Sequence, residues 1–153
     1  MSPPPLPASN AFDAVASYAV ALIRHHGLAG WRFAWNRRKT AMGLCRYEEQ
    51  RIELSAYFVA RNPVGEIHDT LLHEIAHALV GAGHGHDDVW QAKCVEIGAV
   101  PRRCGEAEMP AGRWRATCPA CTKVFHRHRR PRRGKYFCRP CGQVKGELTW
   151  GSA

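Results

Sequence analysis

The chain has 153 residues, is 45% apolar, and carries 22 Lys/Arg against 13 Asp/Glu for a formal charge of +9. That length supports one modest core plus a small satellite module, not two full domains. No apolar run approaches the ~18–20 residues of a membrane-crossing helix, and the opening MSPPPLPASN lacks the regions of a secretory signal, so a membrane partner is excluded and a cytoplasmic or nucleoid/nuclear location is expected.

Residues 1–9, with four Pro in the first seven positions, read as a loose extended tail. Asn10 to His26 reads as an amphipathic helix with Phe12, Val15, Ala16, Ala19, Leu22 and Ile23 on one side, stopped at Gly27. Trp31 to Trp35 alternates as a strand, and Leu44 to Leu54 as a hairpin turning near Glu48-Glu49-Gln50. Glu66 to Val80 is a further helix, with Leu71, Leu72, Ile75, Leu79 and Val80 as its apolar stripe, Asp69 or Thr70 as a candidate cap and Gly81 as its end. Asp88 to Ile97 is another, capped by Asp87 or Asp88 and ended by Gly98. Residues 101–112 are a linker rich in breakers.

The helix 66–80 holds His73-Glu74-Ile75-Ala76-His77. Residues four apart on a helix differ by only ~40° in direction, so both imidazoles project from one face and can grip one metal ion. Glu74 lies beside the first of them, within reach of a metal-bound water, which is the arrangement of a zinc hydrolase. Zinc needs a third protein ligand and an open fourth position. Past Gly81 the chain can turn back and offer His84 or His86. The metzincin spacing would put Gly at position 80 and His at 83, where this chain has Val80 and Gly83.

With these residues the chain resembles the SprT/Spartan metalloproteases, in which HExxH is followed by a short loop and a G-H-G-x-E-W-like segment. Gly85-His86-Asp87-Asp88-Val89-Trp90 matches that segment, and Gly43–Ser55 with Asn62–Glu74 resembles the family's lead-in to its active helix. The resemblance spans about residues 10–150 and makes His86 the first choice for the third ligand, with His84 the alternative. It implies an α+β fold: a small zincin-like catalytic domain over 10–100 followed by a zinc ribbon over 113–151. It also implies protein substrates trapped on or crosslinked to DNA.

The ribbon has its own signature. Cys118-x2-Cys121 and Cys138-x2-Cys141 stand sixteen residues apart, the spacing of a four-thiolate zinc site. A stretch with so few large apolar side chains needs the metal to fold. His126 falls near Cys121, but no Cys follows at zinc-knuckle spacing. Two zinc ions per chain are therefore expected, one catalytic and one structural. The remaining thiols read as inert: Cys45 alternates in a strand, Cys94 shares a helical face with Trp90 and Ile97, and Cys104 sits in a loop without a motif.

Charge is divided unevenly. From Arg113 onward eleven Lys/Arg face one acid, Glu147, while residues 1–112 are nearly balanced. Arg127, Arg129, Arg130, Arg132, Arg133 and Lys135 cluster between the two Cys pairs, a composition suited to a phosphate backbone through counterion release. Tyr136 and Phe137 can add base stacking. The expected chemistry is peptide hydrolysis, with Glu74 taking the proton of a water acidified to ~7 and passing it to the leaving amine. His68 and Tyr57 are candidates for stabilising the developing oxyanion by nearness in sequence only. The rival readings are a nucleic-acid-binding zinc protein with a catalytically idle HExxH site and a zinc hydrolase acting on a non-peptide bond.

Overall fold

The computed structural model describes residues 2–102 and 107–153; Cys104 lies outside the described residues. The chain forms two compact units, Met1–Met109 and Pro110–Ala153, each mixing helices with a small sheet.

The first unit opens with α1 (Phe12–His25), which buries Val15, Tyr18, Ala19, Leu22 and Ile23. Phe12, expected on that buried side, stays 46% exposed and meets the edge of Trp35 instead. The helix ends in a Schellman motif: Gly27, at φ +76°, donates to the Arg24 carbonyl and Leu28 to that of Ile23. Three strands follow, β1 (Arg32–Asn36), β2 (Gly43–Arg46) and β3 (Arg51–Ser55). Their spatial order is β1-β3-β2, with β1 parallel and β2 antiparallel to β3. One face of β3 places Ile52 and Leu54 in the core, both fully buried. The other carries Glu53, which accepts hydrogen bonds from Asn36, Arg46 and Arg51 at 2.8–3.1 Å.

Ser55 then caps a one-turn helix, α2 (Ala56–Val59), by accepting from the Phe58 N–H; it is too short to show a helical period in the sequence. The long helix α3 (Val64–Val80) begins earlier than expected, at the residue after Pro63. Neither Asp69 nor Thr70 is its cap. Pro63, with φ −70°, starts the ladder through its own carbonyl, to which Ile67 donates, and so moves the first turn ahead of the apolar stripe. Gly81, at φ +89°, ends it. The last helix of this unit, α4 (Asp88–Glu96), is capped by Asp87, whose carboxylate accepts from the Trp90 N–H at 3.0 Å. Trp90 and Cys94 are its fully buried residues, with Ile97 packed beside them. Residues 107–109 also belong here: Asn62, 5% exposed, exchanges hydrogen bonds of 2.7 and 2.8 Å with the backbone of Glu108.

The second unit contains β4 (Trp114–Thr117), β5 (Val124–Arg127), the single-turn α5 (Gly142–Lys145) and β6 (Gly151–Ser152), with the antiparallel order β5-β4-β6. Its buried core is Ala116, Cys118, Cys138 and Leu148, a set too small to stabilise a fold alone. Gly112 is buried against the Arg127 backbone, where a side chain would collide with main-chain atoms.

Candidate metal centres

In the first unit α3 supplies His73 and His77 one turn apart, and the loop that enters α4 supplies His86. Their Nε2 atoms lie 3.1, 3.3 and 3.3 Å from one another. Ligands held ~2.0–2.1 Å from a tetrahedral metal stand about 3.3 Å apart, so the spacing fits zinc. It does not suit mutual hydrogen bonding. Each Nε2 either carries a proton or a lone pair, so among three at least one close pair must be alike and repulsive; a central cation removes that conflict.

Two of the imidazoles are also in the state that binds metal. Burial, then the neighbouring His77 and His86, push His73 down to about 4, against a backbone hydrogen bond with Arg102. Burial, then His86, does the same to His77. Both rings are therefore neutral near pH 7, with lone pairs available. Trp90 holds the three rings in place: its centroid lies 4.7, 5.1 and 4.6 Å from those of His73, His77 and His86. That indole, fully buried on α4, couples core packing directly to ligand orientation.

Glu74 sits on the same helix, 8% exposed. Strand β2 crosses so closely above it that a Cβ on Gly43 would fall 2.8 Å from the Glu74 carboxylate; no larger residue fits without displacing it. Burial pushes the Glu74 carboxyl up to about 8, opposed by a hydrogen bond from the Cys45 backbone N–H. A divalent cation on the three imidazoles would pull it back toward the ionised form. His73, Glu74, His77 and His86 share a cavity of roughly 670 Å³ with Tyr47 and Arg102, neither of which the sequence singled out.

In the second unit the thiols of Cys118, Cys121, Cys138 and Cys141 lie within 4.8 Å of one another. Cys121 and Cys138 are 3.7 Å apart, too far for a disulfide but close to the ~3.8 Å expected for two sulfurs each ~2.3 Å from a tetrahedral zinc. Each pair closes as a tight turn, Thr122 N–H to the Cys118 carbonyl and Gly142 N–H to that of Cys138. Gly146 is required beside it, since a Cβ there would meet Cys141 and Cys138 at 2.9 and 3.1 Å. Both groups could hold a metal ion, and both donor sets suit zinc.

The SprT-like family model matches residues 13–110, which include the whole of the first centre. The chain belongs to the SprT-like family. It is 28% identical over 125 residues to Protein SprT of Escherichia coli O1:K1 / APEC, covering 73% of this chain and 75% of that protein. The same figures hold for Protein SprT of Shigella boydii serotype 18 and of Escherichia fergusonii. No solved structure matches.

In this SprT-like chain the loop that enters α4 groups His86, and not His84, with His73 and His77. His86 points its Nε2 into the triad, whereas His84 hydrogen-bonds through Nδ1 to the Asp87 carboxylate at 2.8 Å and stands outside it. His86→Ala is expected to leave one zinc per chain by elemental analysis and His84→Ala to leave two. The opposite pattern would exchange their roles. Of the oxyanion candidates, His68 accepts or donates at Nδ1 to Tyr18 Oη, 2.6 Å away, and Tyr57 lies under Lys39 and Arg61; neither lines the cavity.

The basic residues of the second unit are all exposed. They are not equivalent. Arg127 stacks on Tyr136 and Trp150 at 4.7 and 5.0 Å, and Arg130 on Trp114 at 5.6 Å. Lys135 lies 4.0 Å from Glu147, while Arg129, Arg132 and Arg133 project from the loop around Pro131. No helix among the described residues is long and apolar enough to cross a membrane.

Proposed function

We propose that this chain is a zinc-dependent metallopeptidase with a zincin-like catalytic module over 10–100, acting on DNA-associated or DNA-crosslinked proteins brought to it by the basic ribbon over 113–151. The observation that carries the reading is the convergence of three imidazole Nε2 atoms beside a buried carboxylate in one open cavity. His73, His77 and His86 would hold the catalytic zinc, and Cys118, Cys121, Cys138 and Cys141 the structural one.

Three side chains leave a coordination position free, which a purely structural site would fill with a fourth. Bound there, zinc supplies Lewis acidity and an acidified water. Glu74, pinned between β2 and α3 and hydrogen-bonded by the Cys45 N–H, is placed to accept that water's proton and deliver it to the departing amine. The idle-site alternative explains neither the carboxylate nor the open side of the cavity.

Nucleic-acid recruitment rests on charge. Arg129, Arg132 and Arg133 are exposed in a loop flanked by the ring-stacked Arg127 and Arg130, a surface for backbone phosphates. Neutralising Arg129, Arg130, Arg132 and Arg133 together should weaken DNA binding and flatten its log–log salt slope by ~0.9 per lost contact. An unchanged slope would place the nucleic-acid surface elsewhere.

The decisive assay measures cleavage of a DNA-bound protein with and without DNA, comparing the wild-type chain with Glu74→Gln. Cleavage by the wild type alone, increased by DNA, is the expected result. Equal activity in both would remove the zinc-peptidase reading.

A further inference from the structure

One wall of the catalytic cavity has no part in the chemistry described so far: strand β2 and the turn that leaves it. Gly43 directs its open Cα face at Glu74. Side chains alternate along a strand, so Cys45 follows Gly43 on the side that covers α3, and Tyr47, just past the strand's end, lines the same cavity. The ladder agrees, since Gly43 and Cys45 pair with Leu54 and Ile52, both turned into the core.

Tyr47 stands one residue past β2 in a tight turn. Gln50 N–H donates to the Tyr47 carbonyl at 3.1 Å, and Gln50 adopts φ +47°, which fixes the turn's geometry. Its ring is half-buried and lines the cavity with His73, Glu74 and His77. Its hydroxyl donates to the Cys45 sulfur, a weak acceptor it would exchange for an oxyanion, and the Cys45 backbone N–H binds the Glu74 carboxylate. Hydroxyl and general base are thus positioned by the same strand.

We propose that Tyr47 is a catalytic residue whose hydroxyl donates a hydrogen bond to the oxygen that becomes negative when the substrate carbonyl is attacked. This rests on the metallopeptidase reading and supplies the electrophilic group that reading lacks. A neutral donor is what the position needs, and burial, followed by Cys45 and Glu74, pushes the phenol up to about 12, so it keeps its proton throughout the working range. Two other donors line the cavity, His84, hydrogen-bonded through Nδ1 to Asp87, and Arg102; neither lies on the chain segment that covers Glu74. Losing one such donor costs about 10²–10³-fold in turnover.

The test uses the full-length zinc-loaded chain and a phosphonamidate peptide, a tetrahedral anionic mimic of the attacked substrate. Tyr47→Phe should keep two zinc ions, weaken the phosphonamidate by a factor of about ten to a hundred, and lower kcat with KM within twofold. The uncleaved peptide of the same sequence, bound to Glu74→Gln with and without Tyr47→Phe, should differ by less than twofold. If both ligands weaken equally, Tyr47 only shapes the cavity and the proposal fails. Should Tyr47→Phe not fold, a fluorinated tyrosine at position 47, which keeps the hydroxyl but ionises at lower pH, should move the alkaline loss of phosphonamidate binding down with it; an unmoved profile overturns the proposal. A wild type that cleaves and binds normally alongside an unaffected Tyr47→Phe sinks Tyr47 alone. A wild type that does neither sinks the peptidase reading and Tyr47 with it.

Discussion

Glu74→Gln is expected to retain both metals and lower the cleavage rate by about 10²–10⁴-fold, the range lost when a positioned general base is removed. Gln has the same shape, so it fits under Gly43 and keeps a hydrogen-bonding oxygen toward the Cys45 N–H, but it cannot take up a proton. KM should change little, because the carboxylate acts on the water and not on the bound peptide. Cleavage that survives the substitution would mean that another group is the base.

The same variant has a second signature in the metal-free protein. The Glu74 carboxyl rises from 4.5 to about 8 on folding, so the folded state holds its proton more tightly than the unfolded chain. The sign follows: its contribution to stability is complete below about 4.5 and is lost as pH rises through about 8. Between those limits the wild type should lose up to ~1.4 kcal/mol per pH unit relative to Glu74→Gln. His73 and His77 act in the opposite sense, stabilising above 6.5 and losing that contribution as pH falls toward about 4. They are common to both proteins and cancel in the difference. Denaturant melts at pH 5 and pH 8 measure it, and a gap that does not widen with pH would argue that Glu74 is not desolvated.

Removing the metal from the second unit should have the larger structural effect. Cys138→Ser is expected to unfold Pro110–Ala153 while Met1–Met109 keeps its melting transition. Structural zinc contributes about 10–16 kcal/mol of apparent free energy in small zinc-dependent folds, and here the buried core besides the cysteines is Ala116 and Leu148 with partly covered aromatics. Limited proteolysis should cut first between Thr117 and Gly146. Protection that persists in the variant would show a ribbon folded by its Arg–aromatic stacks, Arg127 on Tyr136 and Trp150, without metal.

Much of this was legible in one dimension because the signals are local. The stripes of α1, α3 and α4, the hairpin turn at Glu48–Gln50 and the two Cys-x-x-Cys turns each depend on residues within a few positions of one another. The failures have equally local causes. Four residues are too few to show a helical period, so no pattern announces α2, and a Pro whose carbonyl starts a helix looks the same as one that interrupts a loop. Residues 107–109 read as linker because the Asn62 side chain that ties them down lies far away in sequence.

The candidate ligand types, the helix that spaces His73 and His77, and the acid beside them can all be read from residues 66–80, since one helical turn dictates all three. Tertiary structure decided the rest. His86 and His84 are two residues apart in an irregular loop, and no periodicity distinguishes them; Asp87 does, by capping α4 while holding His84 aside, and Trp90 does, by seating the chosen ring against the other two. The cavity wall formed by Gly43, Cys45 and Tyr47 likewise exists only because β2 packs across α3, a long-range contact that desolvates Glu74 and that no local pattern encodes.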